Sequence, residues 1–274
     1  MKVLGLDFTS APTRNKPITL AICHYNGGLL TVRDFRPLPD FAGFEAVLAS
    51  NGPWIAGIDF PFGQARKLVE NIDWPDTWEG YVRAVDELGK EGFEAALGSY
   101  RAPRAVGDKQ HLRTIDALAD SRSPMMLAGV PVGKMFFQGA PRLLRSGCSI
   151  VPVRPTDDSR VVIEAYPALV ARRWAGRRGY KSDDKKKQNR EKEDARRDIV
   201  AGLRSPEFSS IYGFSIALEE DLAKQFILDP SADKLDSLLS AVQAAWAYDR
   251  RNAGYGVPPD CDVLEGWIPD PSMV

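Results

Sequence analysis

Short apolar runs bounded by turn residues predict five β-strands along the chain. The second and third runs are separated by Asn26, Gly27 and Gly28, which is turn chemistry typical of a tight hairpin. We therefore expect the first three strands to form a meander. The five predicted strands are VLGLD (3–7), ITLAICHY (18–25), LLTVRDF (29–35), WIAGIDF (54–60) and RVVIEAYP (160–167).

Apolar residues at helical spacing predict helices between and after these strands. The clearest pattern is at 229–251, where Asp229 and Pro230 suit the N-cap and the first turn and an apolar stripe follows. Residues 98–158 are rich in Gly, Pro and Arg, so we expect a partly irregular insertion over the sheet edge. The other predicted helices are 41–50, 77–97, one that begins at Pro167, and one around 196–203.

The composition is that of an ordinary soluble globular protein. Hydrophobic residues make up 44% and charged residues 27% of the 274 positions. No apolar run approaches the roughly 20 residues of a membrane span, and the N-terminus leads directly into a strand without a signal-peptide pattern. We therefore expect a cytoplasmic protein that does not associate with membranes.

Cysteine and histidine are too few and too scattered to indicate a site. Cys23, Cys148 and Cys261 show no CxxC spacing, which argues against a disulfide framework and a structural zinc site. The two histidines, His24 and His111, give poor support to a Ser/His/Asp hydrolase. Any catalysis is therefore expected to depend on carboxylates.

Positive charge is concentrated in one part of a chain whose formal net charge is only −1. Residues 172–197 contain twelve Lys and Arg against five Asp and Glu. Such a run is usually a solvated helix face. The alternative is a local basic surface that contacts phosphate backbones.

Acidic residues follow or end three of the predicted strands. Asp7 ends the first strand, Asp59 follows the core of the fourth, and Glu164 lies near the end of the fifth. On the last predicted helix, Asp236 falls beside the apolar stripe, whereas Asp233 lies nearly opposite it. Each acid also has an ordinary structural explanation, namely a turn cap, an arginine partner or a solvated helix face.

The order of these elements resembles the ribonuclease H-like fold, in which the first and fourth strands are neighbours and the last acidic helix packs against the same edge. The motifs further resemble the family called domain of unknown function 429 (DUF429), predicted nucleases of that fold. They are GLDFTSAP (5–12), GIDFPFG (57–63), GVPVGKMFFQGAPRLL (129–144), VIEAYPALVARR (162–173) and DKLDSLLSAVQAAWA (233–247).

This resemblance implies the architecture of the whole chain. It predicts one α/β domain over residues 1–274, with a mixed central sheet, helices on both faces, and an insertion at about 64–158 between the fourth and fifth strands. The pair Asp233 and Asp236 is also similar to the acidic pair on the last helix of Holliday-junction resolvases, which keeps Asp233 as a candidate ligand.

The implied chemistry is metal-dependent hydrolysis of a phosphodiester. Two divalent ions about 4 Å apart can activate a water and stabilise the leaving oxygen, and Mg²⁺ or Mn²⁺ prefers hard oxygen ligands. In this interpretation Asp7 bridges the metals, Asp59 and Asp236 each hold one, and Asp233 is a further ligand. Glu164 is a peripheral ligand or a base that orients water. Without metal, mutual repulsion should raise some of these pKa values.

Candidates for substrate binding are less specific. Thr9 and Ser10 could donate to a phosphate, although a turn role is equally consistent with their position. Several basic residues flank the predicted insertion, and among them Arg104 and Arg142 are candidates for contact with a phosphate backbone. The expected partner is nucleic acid or a nucleotide-like phosphoester. The sequence leaves open which of these it is, as well as the oligomeric state.

Two other functions are compatible with the pattern. GLDFTS loosely resembles the phosphate loop of ATP-dependent phosphotransferases of the sugar kinase and actin type, but the turn lacks the glycine that lets backbone amides approach a phosphate. The other alternative is a non-catalytic ribonuclease H-like binding module, which need not hold Mg²⁺ or Mn²⁺ at the acids.

Overall fold

The computed structural model describes residues 1–274 and contains one seven-stranded mixed sheet. The spatial order of the strands is β5-β6-β4-β1-β2-β3-β7. Their bounds are Lys2–Asp7 (β1), Ile18–Asn26 (β2), Leu29–Leu38 (β3), Trp54–Ile58 (β4), Ser149–Val151 (β5), Arg160–Glu164 (β6) and Ser215–Ala217 (β7).

The first three strands form the antiparallel meander that the Asn-Gly-Gly turn predicts. Strand β4 then lies parallel to β1 on the other side, and β6 lies parallel to β4. The carboxyl ends of β1, β4 and β6 therefore meet at the same edge of the sheet. Short strands β5 and β7 complete the two sides and were not predicted from the sequence.

Ten α-helices accompany the sheet, and none is long and apolar enough to cross a lipid bilayer. Their bounds are Phe41–Leu48 (α1), Arg66–Ile72 (α2), Trp78–Arg101 (α3), Thr114–Leu118 (α4), Val132–Ser146 (α5), Pro167–Ala175 (α6), Arg190–Leu203 (α7), Pro206–Tyr212 (α8), Glu220–Leu228 (α9) and Asp233–Asp249 (α10).

Helices cover both faces of the sheet, so its apolar side chains are buried in two cores. One core of 32 buried residues lies between the sheet and helices α6 to α10. The other, of 30 buried residues, lies against α1, α2, α3 and α5. Because side chains alternate along a strand, Val3 of β1 belongs to the first core and Leu4 to the second.

Two glycines let α10 lie directly on the centre of the sheet. A Cβ atom on Gly5 of β1 would be 2.0 Å from the carbonyl oxygen of Ser237 in α10. A Cβ atom on Gly57 of β4 would be 2.3 Å from the carbonyl oxygen of Ser240. The backbones therefore pack at a distance that any larger residue would prevent. This contact brings the first turn of α10 to the carboxyl ends of β1 and β4.

Helices α2, α4, α8 and α9 were not predicted from the sequence, and two further helical features differ from the predictions. Helix α10 begins at Asp233, because Asp229 accepts hydrogen bonds from the amide and hydroxyl of Ser231 in a turn and Ala232 adopts a left-handed conformation with φ of 58°. Helix α5, of 15 residues, lies in the segment predicted to be partly irregular. Its glycines and the internal Pro141 hid a helical stripe that includes Phe136 and Leu143.

Candidate active site

A cavity of about 810 Å³ opens at the sheet edge where β1, β4 and β6 end. This volume is in the range typical of small-molecule sites. Both polar and apolar side chains line it. Among them are Asp7, Asp59, Glu164, Asp233 and Lys181, together with apolar residues such as Phe8, Val132, Met135 and Tyr166.

Asp7 and Asp59 project from neighbouring strands toward the same face. Leu6 and Ile58 are directly paired in the parallel ladder, and the amide of Asp59 donates to the Leu6 carbonyl at 3.0 Å. Each acid lies two residues after a glycine that faces α10, so both side chains leave the sheet on the α10 side. The sheet thus holds the two carboxyl groups side by side, as the strand-end pattern predicts.

Neither of these two carboxyl groups accepts a hydrogen bond from the protein. Burial raises the pKa of Asp59 to about 7, with the charge of Lys181 opposing this and those of Asp236 and Glu164 adding to it. Burial also raises the pKa of Asp7 well above its ordinary value, against Lys181 and together with Asp236, Asp59 and Asp233. Both acids are half-buried at the cavity wall.

Asp236 is fully buried in the first turn of α10, and both of its oxygens have partners. The Tyr180 hydroxyl donates to Oδ1 at 2.7 Å, and the Lys181 ammonium donates to Oδ2. The position beside the apolar stripe correctly indicated that Asp236 lies at the boundary between helix and sheet. The sequence also predicted Asp236 as a metal ligand, but in the structure its carboxylate is already paired with the ammonium of Lys181.

Lys181 is the cation whose charge acts on both Asp7 and Asp59, and sequence reasoning did not single it out. Its side chain is 48% exposed, while the carboxylate that it contacts is 0% exposed. Although burial opposes the charge, Asp236, Tyr180, Asp7 and Asp59 together raise the pKa of Lys181 well above its ordinary value. Lys181 is therefore a charged ammonium that reaches from the surface into the acidic site.

Asp233 lies at the rim of the cavity and is also paired. Its Oδ1 accepts from the Lys16 ammonium at 2.9 Å, and the same ammonium donates to Asp183 at 2.9 Å. The Asp233 side chain is partly exposed, which agrees with its predicted place away from the apolar stripe. Its charge still adds to the field that raises the pKa of Asp7.

Glu164 leaves the sheet on the face opposite to Asp7 and Asp59. Its neighbours along β6 show the alternation, since Ile163 faces the α10 side and Val162 the other. Arg113 donates to both oxygens of Glu164, at 2.8 and 2.6 Å, and the Phe62 amide donates at 2.8 Å. Burial raises the pKa of Glu164, and Arg113 opposes that shift.

Arg113 ties Glu164 to the short helix α4 and to the C-terminal segment. It also donates to both oxygens of Asp116, at 2.9 and 2.8 Å, and to the carbonyl of Glu265 at 3.1 Å. All three ionisable side chains of this group, Arg113, Asp116 and Glu164, are at most 2% exposed. The arginine partner that the sequence left as an alternative for Glu164 is therefore present.

The substrate-binding candidates divide into two groups. Thr9 and Ser10 line the cavity beside Asp7. Arg104 and Arg142 do not line it. Arg104 pairs with Asp108 and covers the ring of Tyr100, whereas Arg142 pairs with Glu45 and covers the ring of Phe41. Their placement gives no support to substrate contacts near the acids.

Other cations take positions around the cavity instead. Arg172 and Arg177, from the basic run, and Arg122, from the segment after α4, belong to its lining. Arg172 donates to the carbonyl of Ala119 at 2.7 Å, and Arg177 pairs with Asp120 across an exposed contact of 3.3 Å. The basic run thus contributes at the cavity as well as on a solvated helix face.

The donor chemistry of Asp7 and Asp59 fits a hard divalent cation. No group of three or more His, Cys, Asp or Glu side chains in the chain is arranged to hold a metal ion, which agrees with the partners found for Asp236 and Glu164. Mg²⁺, however, is commonly held by one or two carboxylates together with waters and substrate phosphates. Two adjacent, unpartnered carboxylates satisfy that requirement.

A family model described as "Protein of unknown function (DUF429)" matches residues 19–261. The chain belongs to the DUF429 family. This confirms the family resemblance inferred from the motifs. The matched range contains Asp59, Glu164, Asp233 and Asp236 of the DUF429 protein, whereas Asp7 precedes it. No curated protein and no solved structure shows significant similarity to the chain.

Some features of the DUF429 site had a sequence signal and others had none. Both unpartnered acids occur in the pattern Gly-x-Asp, as GLD and GID, and the glycine two positions before each acid marks the strand face that contacts α10. Lys181 is one of twelve cations in the basic run, and Arg113 is one of several arginines in the 98–158 segment. Only the tertiary fold distinguishes them.

Proposed function

We propose that this DUF429 protein is a divalent-metal-dependent hydrolase of phosphodiesters, a nuclease or related phosphoesterase, with a ribonuclease H-like fold. The observation that carries the proposal is the pair Asp7 and Asp59. These carboxyl groups lie side by side in a cavity, accept no hydrogen bond from the protein, and have pKa values raised by burial and by neighbouring acids. Perturbed carboxyl groups in a cleft are typical of functional sites.

The topology supports the fold part of the proposal. Strands β1 and β4 are neighbours and parallel, so the acids at their carboxyl ends meet. Helix α10, which carries Asp236, packs on these same two strands through Gly5 and Gly57. Both features are those that the ribonuclease H-like fold implies for its acidic edge.

In this proposal Asp7 and Asp59 hold Mg²⁺ or Mn²⁺. A bound divalent ion would act as a Lewis acid on the phosphoryl oxygen and increase the acidity of a water. The chain positions this pair rigidly, because each acid is fixed by the ladder between β1 and β4. The remaining coordination positions are left to water and to the phosphate group of the substrate.

Other residues have supporting roles. We assign the hydroxyl groups of Thr9 and Ser10, which line the cavity beside Asp7, to hydrogen bonding with phosphate oxygens. Glu164 acts as a positioning residue, because its bond to the Phe62 amide fixes the turn that follows Asp59. The apolar wall around Val132 and Met135 and the cations of the rim suit a nucleotide unit with its charged phosphates.

Cleavage of labelled DNA and RNA oligonucleotides, single-stranded and duplex, would test the proposal. We expect turnover with Mg²⁺ or Mn²⁺, none in EDTA, and a loss of at least about a hundredfold in Asp7→Asn and Asp59→Asn, since several kcal/mol of transition-state stabilisation would be removed. Asp86→Asn, which changes an exposed acid on α3, is the matched control. Turnover that persists in EDTA or in both variants would contradict the proposal.

A further inference from the structure

The carboxylate of Asp236 has a protein cation where the two-metal interpretation places a metal. The Lys181 ammonium contacts Oδ2, and the Tyr180 hydroxyl occupies Oδ1 at 2.7 Å. Asp236 is 0% exposed, so bulk solvent does not reach these oxygens. A buried carboxylate is stable only with compensating charge and hydrogen bonds, and here the chain itself supplies both.

The backbone around Lys181 is fixed on both sides. The carbonyl of Tyr180 accepts from Arg196 at 2.7 Å, and the amide of Ser182 donates to the carbonyl of Pro230 at 2.9 Å. Arg196 is itself only 4% exposed and donates a second bond to the carbonyl of Ile227 at 2.8 Å. These contacts hold residues 180–182 against α7 and the turn before α10, so the position of Lys181 is built into the fold.

The Lys181 ammonium lies among negatively charged groups, as a bound metal cation would. Asp236 is in contact with it, and Asp7 and Asp59 lie within the range of its field. A second divalent ion beside Asp236 would be repelled by the ammonium, because like charges a few ångströms apart repel each other strongly in a partly buried site. Lysine and a second metal are therefore alternatives at this carboxylate.

We propose that Lys181 is the resident cation on the Asp236 side of the site and takes the place of a second metal, so that the protein binds one divalent ion, on Asp7 and Asp59. This inference rests on the proposed function and refines it. Asp236 is then a positioning residue that holds the ammonium, and Tyr180 fixes the carboxylate that holds it. The ammonium also presents a positive charge to an anionic phosphate in the cavity.

Counting bound Mn²⁺ tests this inference without measuring activity. Calorimetry and the electron paramagnetic resonance signal of free Mn²⁺ together give the stoichiometry and the dissociation constant. We expect one ion per chain in the wild type, and Asp236→Asn should keep that ion with a much smaller loss of affinity than Asp59→Asn, because Asp236 adds negative charge to the site but is not a ligand.

Removal of the ammonium should have the opposite effect. Lys181→Met leaves Asp236 without its cation, so we expect a second Mn²⁺ or an affinity at least about tenfold higher. Lys181→Arg keeps the charge and should still bind one ion. Lys187→Met is the matched control, since Lys187 is 75% exposed and pairs only with Asp184 at 3.7 Å; it should behave as the wild type.

Two ions in the wild type would overturn this inference alone and leave the proposed function intact. Loss of the ion in Asp236→Asn to the same extent as in Asp59→Asn would have the same consequence. An unchanged count and affinity in folded Lys181→Met would also overturn it. No bound ion in the wild type would overturn both proposals. If Lys181→Met does not fold, the counts for the wild type and Lys181→Arg decide.

Discussion

The amide of Asp59 donates a hydrogen bond of 3.0 Å to the carbonyl of Leu6. This single ladder contact fixes the relative position of the two acids, because Asp7 is the next residue after Leu6 and both acids then point toward α10. Adjacent parallel strands lie about 4.8 Å apart. The close approach of the two carboxyl groups is therefore a property of the backbone pairing and does not depend on flexible side chains.

The raised pKa values predict that Asp7 and Asp59 contribute a loss of stability to the metal-free protein as the pH rises toward neutrality. In the folded state Asp59 keeps its proton up to a pH of about 7, whereas in the unfolded chain it loses it near 3.8. The folded state therefore binds more protons between these values, and the free energy of unfolding falls as the pH rises through this window. Above this pH window, the loss of stability caused by the ionised Asp59 carboxylate has reached its full size.

Asp59→Asn should remove this penalty. At pH 8 we expect the variant to be more stable than the wild type by roughly 2 kcal/mol, and the difference should shrink as the pH falls from 7 to 5. Urea unfolding of metal-free protein at several pH values measures it. Asp86→Asn, at an exposed acid, is the control. A wild type that gains stability toward pH 8 relative to Asp59→Asn would contradict the assignment.

The close contact between α10 and the sheet predicts that substitution of Gly5, which has no side chain, changes both the stability of the protein and its metal binding. In Gly5→Ala the new methyl group would be 2.0 Å from the Ser237 carbonyl oxygen and 2.4 Å from the Ala241 nitrogen. We expect a loss of about 3 kcal/mol in the free energy of unfolding, typical of overpacking, together with weaker Mn²⁺ binding. Thermal unfolding and calorimetry would measure the two effects.

Gly98→Ala provides the matched control for this substitution. Gly98 lies in helix α3, and a Cβ atom there would have no neighbour within 4 Å. Because alanine favours a helix over glycine by up to about 1 kcal/mol, this variant should be as stable as the wild type or slightly more so. Equal destabilisation by the two substitutions would show that the close contact of α10 is not what Gly5 provides.

The buried group around Arg113 predicts a large loss of stability from one substitution. Arg113→Met would leave Glu164 and Asp116 buried without their cation, which costs about 3–5 kcal/mol. Arg145→Met, which breaks an exposed ion pair with Asp86, should cost about 0–1 kcal/mol. Chemical denaturation of both variants at pH 7 compares them. Similar small losses would mean that Arg113 is not the partner that stabilises these acids.

The sequence predicts the parts of the fold that depend on local patterns. The Asn-Gly-Gly turn defines the meander, and Pro167 marks the start of α6. Helix α5 was not recognised, because its glycines and Pro141 resemble loop composition although the helix is stabilised by tertiary packing of Phe136 and its neighbours. The three-residue strands β5 and β7 are too short to give a period-two pattern.

In the candidate site, too, the sequence predicts some residues and not others. Asp7 and Asp59 were found because strand-end acids are visible in the sequence, and the parallel pairing of their strands brings them together. Glu164 is also an acid at a strand end, but its side chain faces the other side of the sheet. Side chains alternate along a strand, and Glu164 is not on the face to which the two glycines belong. Lys181 could not be found in this way, because its contact with Asp236 joins residues 55 positions apart.

We propose that Asp7 and Asp59 together hold a divalent cation. Anomalous diffraction from a crystal soaked with Mn²⁺ tests it most directly, because the peak locates the ion relative to both carboxyl groups. We expect a peak within about 2.2 Å of an oxygen of each acid, near the metal–oxygen distance typical of hard cations. A crystal in which the cavity shows no Mn²⁺ peak, or in which the ion is bound away from these two carboxyl groups, would contradict the claim.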